Sequence, residues 1–112
     1  MKFSADEIEK AKEMKRLHLF EKIKLTPQIG SCLFGRHCPQ HALPIDEQVF
    51  LIIELHESQK DYLWLPTLDE TLEITRELKI SFSQITDFLH RRRFADGRER
   101  EGLYQLLIEK LR

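Results

Sequence analysis

With 112 residues, 41% of them hydrophobic, the chain is sized for a single domain around one modest core. Its 33% charged residues and net charge of -1 exclude both wholesale disorder and a strongly basic nucleic-acid binder. Cys32 and Cys38, the only cysteines, exclude a disulfide framework, and no apolar run of about 18 residues suggests a membrane partner.

The charge is unevenly distributed. Residues 1–24 carry +2, residues 25–41 carry +1, residues 42–79 carry -6 and residues 80–112 carry +2. An acidic middle is thus flanked by two mildly basic ends. The opening MKFSADEIEKAKEMKR is too charged for a secretory signal, so the expected location is cytoplasmic.

The first element in chain order is an N-terminal helix within residues 1–24, running from about residue 5. Ser4 with Glu7 forms the pattern in which two side chains satisfy free backbone N–H groups of a first helical turn, and Phe3 with Ile8 can staple it. Leu17, Leu19, Phe20 and Ile23 would point nearly all round such a helix, which implies cover on more than one side, from another subunit or from a central position in the monomer.

Residues 25–44 hold three of the four prolines and two of the four glycines and are expected to form an irregular loop. Within it, SCLFGRHCPQH offers Cys32, His37, Cys38 and His41 as candidate ligands, the donor types that tetrahedral zinc takes. A structural zinc is one reading, with three loop ligands and a distant fourth such as His18 as a variant. The other is that the two thiols are merely small apolar side chains or unused groups.

Residues 45–112 are expected to form a helical core. In IDEQVFLIIELHES, the run Val49–Ile53 suits a buried strand, yet Ile45, Val49, Ile52, Ile53 and His56 line one helical face, and helix is the favoured expectation. DYLWLP should be extended before Pro66.

Thr67 with Glu70 and Ser81 with Gln84 mark two further helix starts, the second stapled by Ile80 and Ile85. In TLDETLEITRELKISFSQITDFLHRRR, Ile74 and Leu78 lie four apart and Ile85 and Phe88 three apart, on either side of a short turn. Residues 67–93 resemble the helix-turn-helix superfamily, whose members lay the second helix in the DNA major groove. Many members have glycine where this chain has Lys79 and a small residue where it has Thr75, so the turn is expected to differ here.

The resemblance implies Ser83, Gln84, Thr86, His90 and Arg91 as groove-facing residues, followed by Arg92 and Arg93. Arg91 to Arg93 with Arg98 and Arg100 form a candidate phosphate-contacting cluster, or else a solvated helix end meeting the C-terminal dipole. Asp96 with Glu99 marks a last helix over about 97–111, striped by Leu103, Leu106, Leu107 and Leu111, although a β-hairpin wing turning at Asp96–Gly97 is an alternative.

The expected fold is therefore mainly α, a small helical domain with a helix-turn-helix and an irregular Cys/His-containing loop. The expected function is a small DNA-binding regulator, with duplex DNA as partner. The alternative is a protein-interaction module docking through exposed apolar residues such as Phe82 or Trp64, and either is compatible with a homodimer. No catalytic signature such as HExxH or a glycine-rich phosphate loop is present, so no enzyme is expected.

Overall fold

The computed structural model describes residues 2–112, and in it local capping chemistry starts three of the helices as the sequence predicts. Reciprocal side-chain and backbone bonds form between Ser4 and Glu7 at α1 (Ala5–Arg16), between Thr67 and Glu70 at α3 (Leu68–Glu77), and between Ser81 and Gln84 at α4 (Phe82–Arg91). The fourth expected box, Asp96 with Glu99, does not form. Gly97 turns the chain at φ 90°, its N–H donates to Glu99, and α5 (Glu99–Leu111) begins beyond it.

The first correction concerns fold class: the chain is mixed α/β, not mainly helical. A four-stranded antiparallel sheet is built from β1 (Cys32–Phe34), β2 (Ala42–Asp46), β3 (Val49–Ile52) and β4 (Leu63–Leu65), in the order β2-β3-β1-β4. The segment expected to be helix from residue 45 is instead the end of a hairpin. Asp46 accepts a bond from the Glu47 N–H, Gln48 takes φ 59°, and Val49, Phe50 and Ile52 are buried by alternating to both faces of the sheet. A short β-branched and aromatic run buried on both faces satisfies helical and strand spacing alike, and only its partners decide.

The residue 25–44 loop likewise contains β1 and the start of β2. The N-terminal helix is shorter than expected, because His18 takes a left-handed φ of 60° after Arg16 and the chain restarts as the single turn α2 (Leu19–Lys22). The apolar residues expected to ring one helix therefore fall beyond it, with Leu17 at the cap of α1, Leu19 and Phe20 in α2 and Ile23 at the cap of α2. A 3-10 turn (Glu57–Asp61) leads into β4.

Three helices end alike. His18, Lys79 and Arg93 each adopt φ near 60°, and each donates its N–H to the carbonyl three residues back. At the last two, the next residue, Ile80 or Phe94, bonds five residues back to Thr75 or Leu89. Glycine is the usual occupant of such a cap. Here a basic side chain or histidine takes it, and its attraction to the negative helix end offsets part of the strain. The turn between α3 and α4 thus keeps the left-handed geometry despite Lys79, contrary to expectation.

Helix α5 packs against α1, α3 and α4 and buries Leu103, Tyr104, Leu106, Leu107 and Ile108. The Tyr104 hydroxyl donates to the Pro66 carbonyl, and burial pushes its pKa far above the usual phenol value. A Cβ on Gly102 would meet the Phe94 ring at 2.8 Å and the Leu89 side chain, so glycine is what lets α4 approach. Arg100 reaches back across the fold to Glu7 and the Lys2 carbonyl and lies 3.9 Å from the Phe3 ring centroid. Burial works to raise the Glu7 pKa, but the bonds from Arg100 and Ser4 prevail and hold it below the usual carboxylate range. No helix among the described residues is long and apolar enough to cross a membrane.

These contacts make three predictions. Gly102→Ala lowers the urea midpoint, because overpacking of about 1–3 kcal/mol exceeds the roughly 1 kcal/mol gained in helix propensity. Lys79→Gly raises it, by about 1 kcal/mol, by removing left-handed strain. Because the folded Glu7 pKa is lowered, its stabilisation is present above pH 4.5, the ordinary value, and is lost as pH falls through the folded value. Urea melts across that range should show Glu7→Gln less stable at neutral pH, by about 2 kcal/mol, with a flatter acid dependence.

Candidate nucleic-acid interface

Helix α4 is amphipathic, and its two faces have separate roles. Ile85 and Phe88 are buried, and Phe88 stacks on Phe94 with ring centroids 6.3 Å apart. Phe82, Ser83, Gln84, Thr86, Asp87, His90 and Arg91 are exposed along the whole helix. The inner face is held by α5 and the outer face is open to solvent.

Several of the expected reading residues are turned to their own backbone. The Gln84 side-chain oxygen accepts from the Ser81 N–H at 2.8 Å, the Thr86 hydroxyl donates to the Ser83 carbonyl, and the Ser83 hydroxyl lies 3.2 Å from that of Ser81. Gln84 keeps only its amide N–H group for a partner. Two-point recognition of adenine would require it to give up its cap.

The arginine cluster divides. Arg91 pairs with Asp87 at 3.0 Å, both largely exposed, and such an i,i+4 surface pair is worth only a few tenths of a kcal/mol. Arg92 bridges to Glu109 at 2.9 Å and covers the Phe88 ring, and Arg98 pairs with Glu101 at 3.0 Å. Arg100 is committed to Glu7. Arg93, exposed at the left-handed cap, forms no ion pair among the described residues. Of the five cations, Arg93 is unpaired among the described residues, and Arg91 is held only by its weak, exposed pair with Asp87.

The residues expected to hold zinc are dispersed. Cys32 lies buried in β1 between Leu51 and Leu65, and burial raises its thiol pKa, the opposite of what a thiolate ligand needs. Cys38 is exposed, with its S–H directed to the Ala42 carbonyl at 3.3 Å. His37 is exposed. His41, at φ 59°, sits 3.5 Å from Glu54 and 5.2 Å, centroid to centroid, from His56. His18 pairs with Glu21. Among the described residues, no group of three or more His, Cys, Asp or Glu side chains is disposed to hold a metal ion.

Of the two apolar residues expected to be exposed, Phe82 is, at 74%, but Trp64 is buried in β4 at 5%. Its indole N–H points to Glu70 at 3.4 Å, and Ser31 donates to the same carboxylate, so Glu70 ties the N-terminus of α3 to the sheet. The ties of Arg92 to Glu109 and of Arg100 to Glu7 span 17 and 93 residues, beyond the reach of any local pattern. No family model, curated protein or solved structure matches the chain.

Proposed function

We propose that the chain binds duplex DNA through α4, mainly by phosphate contacts near the end of the helix. The observation that carries this reading is the open outer face of α4 on a helix whose inner face is fixed by α5. A helix with its side chains is about 10–12 Å across, and the major groove is about 12 Å wide. A helix anchored along one side, with its opposite side free, fits that groove without rearrangement.

The charge pattern supports modest, sequence-tolerant binding. Arg91 and Arg93 serve the phosphates, and Asp87 releases Arg91 at little cost because their pair is exposed. The capping role of Gln84 limits base reading. A regulator of this kind gains affinity by presenting two copies of α4 to two half-sites, which is the role a homodimer would have.

The test is fluorescence anisotropy of a labelled duplex at increasing salt. Affinity should fall with salt, and replacing Arg91 by Ala together with Arg93 by Gly should weaken binding roughly tenfold and flatten the salt slope by about two. Glycine at position 93 removes the charge while relieving the left-handed backbone, and an undiminished urea midpoint of the variant shows that weaker binding does not come from unfolding. No binding at about 50 mM salt overturns the reading.

A second reading, docking of a protein on α4, is favoured by Phe82, whose ring is 74% exposed on the first turn of the helix. Self-association is its first case. Sedimentation should then give a dimer that Phe82→Ser dissociates and the arginine changes leave intact.

A further inference from the structure

A cavity of about 580 Å³, to which α4 contributes no lining residue, opens between the α1–α2 corner and the 3-10 turn. None of its lining residues lies beyond Trp64 in the chain. Its walls are apolar: Phe20, Leu25, Leu55, Tyr62 and Trp64, with the Phe20 and Trp64 rings 5.0 Å apart and tilted. The volume falls within the range of pockets that enclose small organic molecules. Leu55 is half exposed whereas Trp64 is packed, so the cavity has a fixed base and an accessible rim.

The rim is chemically asymmetric. Its two carboxylates are each engaged: Glu21 with His18 at 3.1 Å and Glu57 with Lys60 at 3.0 Å, the latter holding the Glu57 pKa below its usual value. Lys15, also at the rim, pairs with no carboxylate among the described residues. His56 adds a second donor. Its Nδ1 accepts the Ser58 backbone N–H at 3.1 Å, which places the proton of the neutral ring on Nε2, and that N–H has no partner among the described residues.

We infer that this cavity binds a small amphipathic carboxylate, an aromatic or acyl body against Phe20, Leu25, Leu55 and Trp64 with its anionic head at Lys15 and His56. The apolar walls exclude a wholly polar ligand. The rim carboxylates Glu21 and Glu57 already hold hydrogen-bonded partners, whereas Lys15 and the His56 N–H hold none among the described residues, so the head of an acid gains donors there that serve a neutral or cationic molecule of the same shape less well. This site is separate from α4 and stands whether or not α4 binds DNA.

The chain has one tryptophan, and it lies in the wall of the cavity, so its fluorescence reports occupancy directly. The experiment titrates the full chain with 4-phenylbutyrate and, in parallel, with the neutral 4-phenylbutan-1-ol. A saturable change with the acid, about fivefold weaker with the alcohol, is expected, and Lys15→Ala should erase that preference. Leu55→Asp, a change at a half-exposed position, should weaken acid binding further by placing an anion in the apolar wall, and Lys110→Ala, outside the cavity lining, should leave it unchanged. Absence of a saturable change up to the solubility limit overturns the site. Equal affinity for acid and alcohol, or an acid preference that survives Lys15→Ala, overturns the anionic assignment.

Discussion

The structure depends on a helix that is apolar nearly all round. Along α5, Leu103, Tyr104, Leu106, Leu107 and Ile108 are buried on several sides at once, and a helix of this kind is stable only when neighbours close around it. Here α1, α3 and α4 do so. Gly102 sets how near α4 comes, and the Tyr104 hydroxyl fixes the chain at Pro66, just ahead of the α3 cap. The exposure of one face of α4 is a consequence of how completely its other face is used.

Around that centre, charge serves fixation more than display. Glu7 and Arg100 join the two ends of the chain in a largely buried pair, and Glu70 joins α3 to the sheet through Ser31 and Trp64. Such pairs offset the cost of burying charge only when every bond is made, which both carboxylates achieve by also capping a helix. The economy is the same at the starts of α1 and α3: one glutamate caps its own first turn and reaches a distant partner.

How much of this is legible in the sequence depends on the range of the interaction that decides it. The Ser4, Thr67 and Ser81 caps involve residues three apart, and the sequence shows them with the correct helix starts. Whether Val49–Ile52 is strand or helix is decided by pairing with Cys32–Phe34 and Ala42–Asp46, and no pattern within the segment contains that information. The early end of α1 was hidden because a left-handed histidine leaves no glycine or proline as a marker. At the candidate interface, the exposed residues of α4 follow from helical spacing, but the loss of Arg100 and the partial loss of Arg92 depend on glutamates 93 and 17 residues away. The scattering of Cys32, His37, Cys38 and His41 has a similar origin. Strand β1 takes Cys32 into the core while Cys38 and His37 remain on the surface.

If α4, clamped on its inner face by α5, meets duplex DNA with its outer face as proposed, binding leaves the core unchanged. Amide chemical-shift mapping on addition of a short duplex at low salt tests it most directly. Perturbations confined to Ser81 through Phe94, with Leu103 to Ile108 unmoved, are expected. Perturbations centred on the acidic 42–79 segment, or none on α4, would contradict it.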